Sequence, residues 1–273
     1  MRRVFPPLLA LSLAAGCATA PLAPAEAARL AALLPADALL LGEQHDAPEH
    51  QQLQRRTVQW LAARGELAAL AVEMAEQGRG TAGLPRGASE AEVRAALAWP
   101  EQGWPWERYG PTVMAAVRAG VPVLGANLPR ARLREAMADA TLDARLPPAA
   151  LQAQAGRIRE GHCNALPEAQ IAPMTRAQIA RDRAMADTVA GARRRGRTVL
   201  LVAGNGHVHR TLGVPAHLPA DLKSKVVVAL ARQAPAATNP EAEGRQADAG
   251  ADLLWPTPPR PPRDDCAAFR RPQ

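Results

Sequence analysis

The chain has 273 residues, enough for one large core or for a core with an inserted subdomain. Its formal net charge is +7, from 33 basic and 26 acidic residues, but lysine occurs only at 223 and 225. Arginine, alanine and proline are abundant together and no basic stripe is interleaved with aromatic residues, so nucleic acid is not expected as a partner.

The N-terminus reads as a targeting segment. Arg2 and Arg3 precede a short apolar run from Leu8 to Ala15, too short to span a bilayer. Leu13-Ala14-Ala15-Gly16-Cys17 then resembles the lipobox of bacterial lipoproteins. That resemblance implies removal of residues 1–16 and lipid on Cys17. With Ala18 rather than Asp next, it implies an outer-membrane anchor facing the periplasm. An ordinary secretory signal cut nearby is the alternative. Residues 17–33, rich in Ala and Pro from Ala18 to Glu26, read as a tether.

The first strand is expected at about Ala38 to Leu41, because Leu39-Leu40-Leu41 can bury both faces of a central parallel strand. Gly42 permits a sharp exit. Asp46 and Glu49 have the form of a capping box opening a helix from about Pro48 to Arg64. A second apolar run, Ala68 to Val72, ends in Glu73-Met74. A Gly-rich loop over 78–87 precedes a helix capped by Ser89 and Glu92. Trp99, Trp104, Trp106 and Tyr109 follow, four of the eight aromatic residues in the chain. Gly120 to Gly125 is a third strand leading to Asn127, and Arg130 to Asp139 is helical.

Leu146 to Pro167 reads as helix and loop, and Thr175 to Arg195 as a long helix. Thr198 to Ala203 is the strongest strand signal and runs into Gly204-Asn205-Gly206-His207-Val208-His209. Lys225 to Leu230 is the last expected strand. Residues 233–273 read as a loose Pro-rich tail with an anchoring patch at Leu253-Leu254-Trp255. Strands alternating with helices predict an α/β fold over residues 34–232, a mostly parallel sheet with helices on both faces. An inserted helical subdomain is expected at about 86–170, where one strand is found.

In a parallel sheet the strand ends share one edge, where open α/β folds bind ligands. Glu43, His45, Glu73, Asn127 and His207 all fall there. Such oxygen and nitrogen ligands suit a divalent metal such as Zn or Mn. They equally suit acid–base chemistry without a metal. The glycines at 204 and 206 allow exposed amides that can hold an anion. The Gly204-Asn205-Gly206-His207 segment lacks the GxGxxG spacing of a dinucleotide fingerprint, and no GxSxG or HExxH motif is present. Cys163 and Cys266 remain for a disulfide, which an oxidising compartment allows.

Four blocks carry a further resemblance: Leu41-Gly42-Glu43-Gln44-His45-Asp46, Val72-Glu73-Met74, Ala177 to Ala186 (AQIARDRAMA), and Val202 to Val208 (VAGNGHV). Together they are similar to the ChaN-like lipoproteins of the haem-binding-uptake/Tiki superfamily, in order from about Leu34 to Leu230. Gly161-His162-Cys163 also resembles a segment of many members. The resemblance implies an α/β sheet with a helical subdomain and a haem-binding role at the outer membrane in iron acquisition. Related branches include metal-dependent proteases and an esterase type that share the GExH, Glu and GxxH elements. By the resemblance Glu43, His45, Glu73 and His207 are the site positions, as metal ligands or, in a hydrolase, as catalytic groups. Arg181 and Asp182 come second.

Haem iron needs an axial ligand such as Tyr or His. Tyr109, His209 and His207 are the candidates from the residues themselves. Trp104, Trp106 and Tyr109 either stack on a porphyrin or pack the helical lobe. Arg108 and Arg130 are candidate partners of haem carboxylates. No CxxCH motif is present, so the haem would be non-covalent. A second copy of the chain and a haem-uptake receptor are the expected protein partners. The alternative is a metal-dependent hydrolase on the same strand-end cluster.

Overall fold

Six strands form one sheet: β1 (Ala38–Glu43), β2 (Leu67–Glu76), β3 (Val123–Asn127), β4 (Thr198–Gly204), β5 (Ser224–Ala231) and β6 (Leu253–Thr257). Their order is β3-β2-β4-β1-β5-β6, and every neighbouring pair is parallel. The helices are α1 (Pro24–Ala31), α2 (Pro48–Ala63), α3 (Glu90–Leu97), α4 (Trp106–Arg118), α5 (Leu133–Ala138), α6 (Pro148–Gly161) and α7 (Glu168–Gly191). The computed structural model describes residues 20–231, 250–261, 264, 266 and 267. The expected signal segment and Cys17 lie outside these residues. Among the described residues no helix is long and apolar enough to cross a membrane.

The leucine run of β1 is fully buried because the sheet is covered on both faces. Leu39 and Leu41 join a core with Leu53, Val58 and Leu61 of α2, Val93 and Leu97 of α3, and Val113 and Met114 of α4. Leu40 points the other way, into a core with Met185, Ala186 and Val189 of α7. A third cluster joins Ala136, Leu142 and Leu146 to Ile179 and Ala180 of α7. The helices between β2 and β4 therefore divide: α3 and α4 complete the core under the sheet, while α5 packs outside α7. At about 1.5–3 kcal/mol for each fully buried leucine, the β1 run is a main anchor of the fold.

The connections set the position of the site. β1 leaves toward β2 over the α2 face, whereas β4 leaves toward β5 over the face that carries α7. β1 and β4 are neighbours, with Glu43 opposite Gly204. Chains departing to opposite faces open a crevice beyond the carboxyl ends of these two strands.

Several expectations are corrected. Asp46 does not cap α2: the N-cap residue is Ala47, without a side-chain cap bond, and Asp46 pairs with Arg260 from the far end of the chain. Ser89 does cap α3, with Glu92 closing the box. Gly42 is needed for close approach rather than for an unusual turn. A Cβ there would lie 2.4 Å from Asn205 Oδ1 and 2.5 Å from Val208 Cγ2. Part of the expected tether is the helix α1, held by buried Leu22 and Leu30 and by an ion pair between Glu26 and Arg56.

The expected loose tail contains β6, parallel to β5, with Trp255 and Thr257 facing inward. Pro256 is tolerated because this is an edge strand. Cys163, after α6, is disulfide-bonded to Cys266 across 103 residues of sequence.

Candidate functional site

β1 ends on Glu43, a residue 2 % exposed whose fully buried carboxylate receives four donors. His45 Nδ1 lies 2.7 Å from Oε1, and the Tyr109 hydroxyl donates to the same oxygen at 2.9 Å. Gln51 and Gln54 donate to Oε2 at 2.6 and 2.5 Å. These two glutamines sit three residues apart on α2, so one helix face delivers both amides. Burial and the adjacent carboxylate push the Tyr109 hydroxyl well above the ordinary phenol range, which keeps it a proton donor.

β2 carries the second carboxylate. Its ladder with β4 stops at Val72, and the register with β3 shifts after the same residue, so Glu73 stands just past the regular pairing. Gly204 N–H donates to Glu73 Oε2 at 2.7 Å, and His207 Nε2 lies 3.3 Å from Oε1. His207 Nδ1 is 2.5 Å from Asp182 Oδ1 of α7, with the Gln178 amide 2.9 Å from the same nitrogen.

Burial opposes a charge on His207, but Glu73 and Asp182 outweigh it and raise the imidazole to about 10. Burial raises Glu73 as well, but His207 and the other donors pull it down to about 2. For Asp182 burial wins, and its pKa rises to about 6. His207 is thus an enclosed imidazolium between two carboxyl groups.

The glycine loop expected to hold an anion holds the protein's own. Gly204 N–H is used by Glu73, Asn205 N–H by the Glu43 carbonyl, and the Asn205 side-chain amide by the Ala229 carbonyl. The metal expectation fares similarly. Glu43 and His207 have their polar atoms occupied by protein partners, and among the described residues no three His, Cys, Asp or Glu side chains are placed to hold a metal ion.

His45 differs from its neighbours. Its side chain is 43 % exposed, and its ring meets Trp104 edge-on with 4.8 Å between centroids. Burial lowers its pKa, but the Glu43 hydrogen bond and the Glu73 charge more than compensate, for a net rise. Nδ1 is fixed by Glu43, and Nε2 has no hydrogen-bond partner among the described residues. Gly204 makes room for the ring, since a Cβ at 204 would lie 2.9 Å from Nε2.

Trp104 opens onto a cleft of about 510 Å³, within the range of small-molecule sites. Glu73, Met74, Asn127, Leu128, Arg130, Leu133 and Arg181 also line it. The aromatic segment thus divides in two. Trp99 and Trp106 are buried and stack edge-on at 5.0 Å, as core; Trp104 faces the cleft.

The remaining candidates fall as follows. Tyr109 is turned inward and 3 % exposed, so its hydroxyl serves Glu43 rather than the cleft. His207, enclosed by carboxylates, is likewise withdrawn from any iron. His209 accepts at Nδ1 from Thr211 N–H at 3.3 Å and does not line the cleft. Arg108 is exposed and donates to the His45 carbonyl at 3.4 Å. Asn127 donates to the Glu73 carbonyl at 3.0 Å. Gln51, Gln54 and Gln178 were not anticipated. The only sequence signal for the first two is a pair of glutamines at helical spacing beside the buried Leu53.

Fold and site together define a doubly wound α/β protein with a cleft at the carboxyl edge of its sheet. The family model described as "Haem-binding uptake, Tiki superfamily, ChaN" matches residues 29–218, more than half of the chain, and the chain belongs to that family. The fold is similar to a solved structure described as "Cofacial heme binding to ChaN of Campylobacter jejuni". That likeness has a TM-score of 0.60 at 24 % identity and covers 74 % of this chain and 84 % of the other. Among the curated proteins compared, none matches.

Proposed function

We propose that this chain binds haem non-covalently in the cleft, with His45 Nε2 as the ligand presented to iron, and serves haem or iron uptake as a lipid-anchored outer-membrane protein. The observation that carries the reading is the state of His45, whose ring packs edge-on against Trp104 of the cleft lining. One nitrogen is fixed on a buried carboxylate while the other is unpartnered beside Trp104. Metal-bound imidazoles are oriented in this way, by a carboxylate on the second nitrogen, and His is a common axial ligand of haem iron. Trp104, Leu128 and Leu133 give the apolar surface a porphyrin needs. Family membership supports the same ligand. The similar Campylobacter jejuni protein is described as binding haem cofacially, which favours a second copy of this chain as a partner on the haem.

The lipobox-like segment ending at Cys17 supports the anchor, and the Cys163–Cys266 bond suits an oxidising compartment. A haem-uptake receptor then stands as the expected acceptor.

The test is a haemin titration of the chain lacking residues 1–16, with Cys17 replaced. A Soret shift is expected, lost on His45→Ala and kept on His209→Ala. A shift that survives His45→Ala and disappears on Tyr109→Phe would move the ligand to Tyr109. Absence of any shift would sink the haem reading.

A further inference from the structure

The cleft has an uneven charge balance. Three carboxylates line it: Glu73, Glu76 and Glu101. Each is already engaged. Glu73 holds His207 and the Gly204 amide, Glu76 accepts from the Arg130 backbone N–H at 2.9 Å, and Glu101 accepts from Arg94 and from the Trp106 N–H. Two guanidinium groups line it as well, those of Arg130 and Arg181. Neither guanidinium has a hydrogen-bond or ion-pair partner among the described residues, where eleven other ion pairs involve arginine or lysine. Glu73 and Glu101 are matched by His207 and Arg94, Glu76 accepts from a backbone N–H alone, and no carboxylate pairs with either cleft guanidinium among the described residues.

The apolar part of the lining comes from Trp104, Leu128 and Leu133. Leu133 begins α5 directly after the Arg130–Arg132 turn, so Arg130 and the apolar surface share one segment; Arg181 comes from α7.

We infer that Arg130 and Arg181 form a carboxylate-recognition pair, selecting a flat apolar ligand that carries two carboxylates on one edge. The inference rests on the cleft being the ligand site proposed above, and it assigns the orientation of the ligand there. The acidic edge lies against Arg130 and Arg181, and the ring face lies against Trp104 on the side of His45. A guanidinium offers a planar fork that matches a carboxylate with two parallel N–H bonds, and a lysine does not. Arg94 is used on the cleft-lining Glu101, whereas Arg130 and Arg181 are the two guanidinium groups that line the cleft itself.

The test separates acid recognition from iron ligation by using porphyrins without iron. Protoporphyrin IX and its dimethyl ester have the same ring and differ in the two carboxylates. Binding of each to the chain with Cys17 replaced is followed by fluorescence at fixed salt and detergent. The diacid is expected to bind at least tenfold tighter than the diester. Arg181→Ala and Arg130→Ala should each weaken the diacid by about tenfold and leave the diester unchanged. Arg181→Lys should restore only part of the loss. His45→Ala should abolish the haemin Soret shift.

Equal affinity for diacid and diester, or equal losses for both in the arginine variants, overturns the pair while leaving haem binding standing. Arginine-dependent diacid binding without any haemin Soret shift keeps the pair and removes the His45 ligation. Failure of both porphyrins and of haemin to bind overturns both. Thermal melting of each variant guards against unfolding, and these two side chains lie outside the buried core.

Discussion

Glu43 and Glu73 are two buried carboxylates on one sheet edge, stabilised in different ways. Glu43 is held by a hydroxyl and two amides from α2 and α4, donors that carry no charge, and by the His45 ring. Glu73 is held by an enclosed imidazolium, with Asp182 beyond it. The first arrangement leaves one imidazole half-exposed with a nitrogen unpartnered. The second consumes its imidazole entirely. The same two residue types therefore leave a half-exposed imidazole on one side of the crevice and enclose one between two carboxyl groups on the other. What separates them is the chemistry of the covering helix.

That contrast can be broken most severely at His207. His207→Ala leaves Glu73 and Asp182 buried without their shared cation, and a loss of about 3–5 kcal/mol in urea unfolding is expected. His45→Ala, on the half-exposed side, should cost far less under the same measurement.

A pH series sharpens the comparison with a third histidine. His50 is buried on α2, accepts from Gln44 N–H at Nδ1, and meets Thr257 Oγ1 of β6 at Nε2, both at 2.9 Å. Burial lowers its pKa to about 4, with Arg260 adding to the effect and Asp46 opposing it. A depressed histidine contributes stability that is complete above about 6.5 and is lost as pH falls through about 4. His207 is shifted the other way, so its contribution is complete below about 6.5 and is lost as pH rises through about 10. Thermal melts across pH should show both limbs. His50→Gln should remove an acid-side loss of up to about 3 kcal/mol, and the alkaline limb should remain. An unchanged acid limb would mean that His50 is not held neutral.

The smallest change is Tyr109→Phe. It removes one of four donors to Glu43 and is expected to cost about 1–2 kcal/mol, with haemin binding retained. Loss of binding without loss of stability would place Tyr109 on the ligand instead.

Much of the fold was legible because its signals are local. The leucine run of β1, the valines and leucines of β4 and β5, and the Ser89–Glu92 box announce themselves within a few residues. The strand ends also converged as the parallel order requires. What was hidden depends on partners far away in sequence. Asp46 looked like a cap because Arg260 is 214 residues distant. Gln51 and Gln54 carry little local signal because only the folded α2 brings them onto Glu43. β6 was hidden by Pro256, which an edge strand tolerates. Tyr109 drew attention as the single tyrosine, yet its hydroxyl is turned inward onto Glu43, while the half-exposed imidazole is that of His45, which composition cannot distinguish from its enclosed counterpart at 207.

The bond between Cys163 and Cys266 has a consequence for the order of assembly. A chain made from its N-terminus presents Cys163 as a lone thiol until 103 further residues exist. By then β1 to β6 have all been made and are available to pair. The late segment also reaches the loop that bears His45, through Arg260 on Asp46 and through Thr257 on His50. The last part of the chain to be made therefore restrains the start of α2, just after His45.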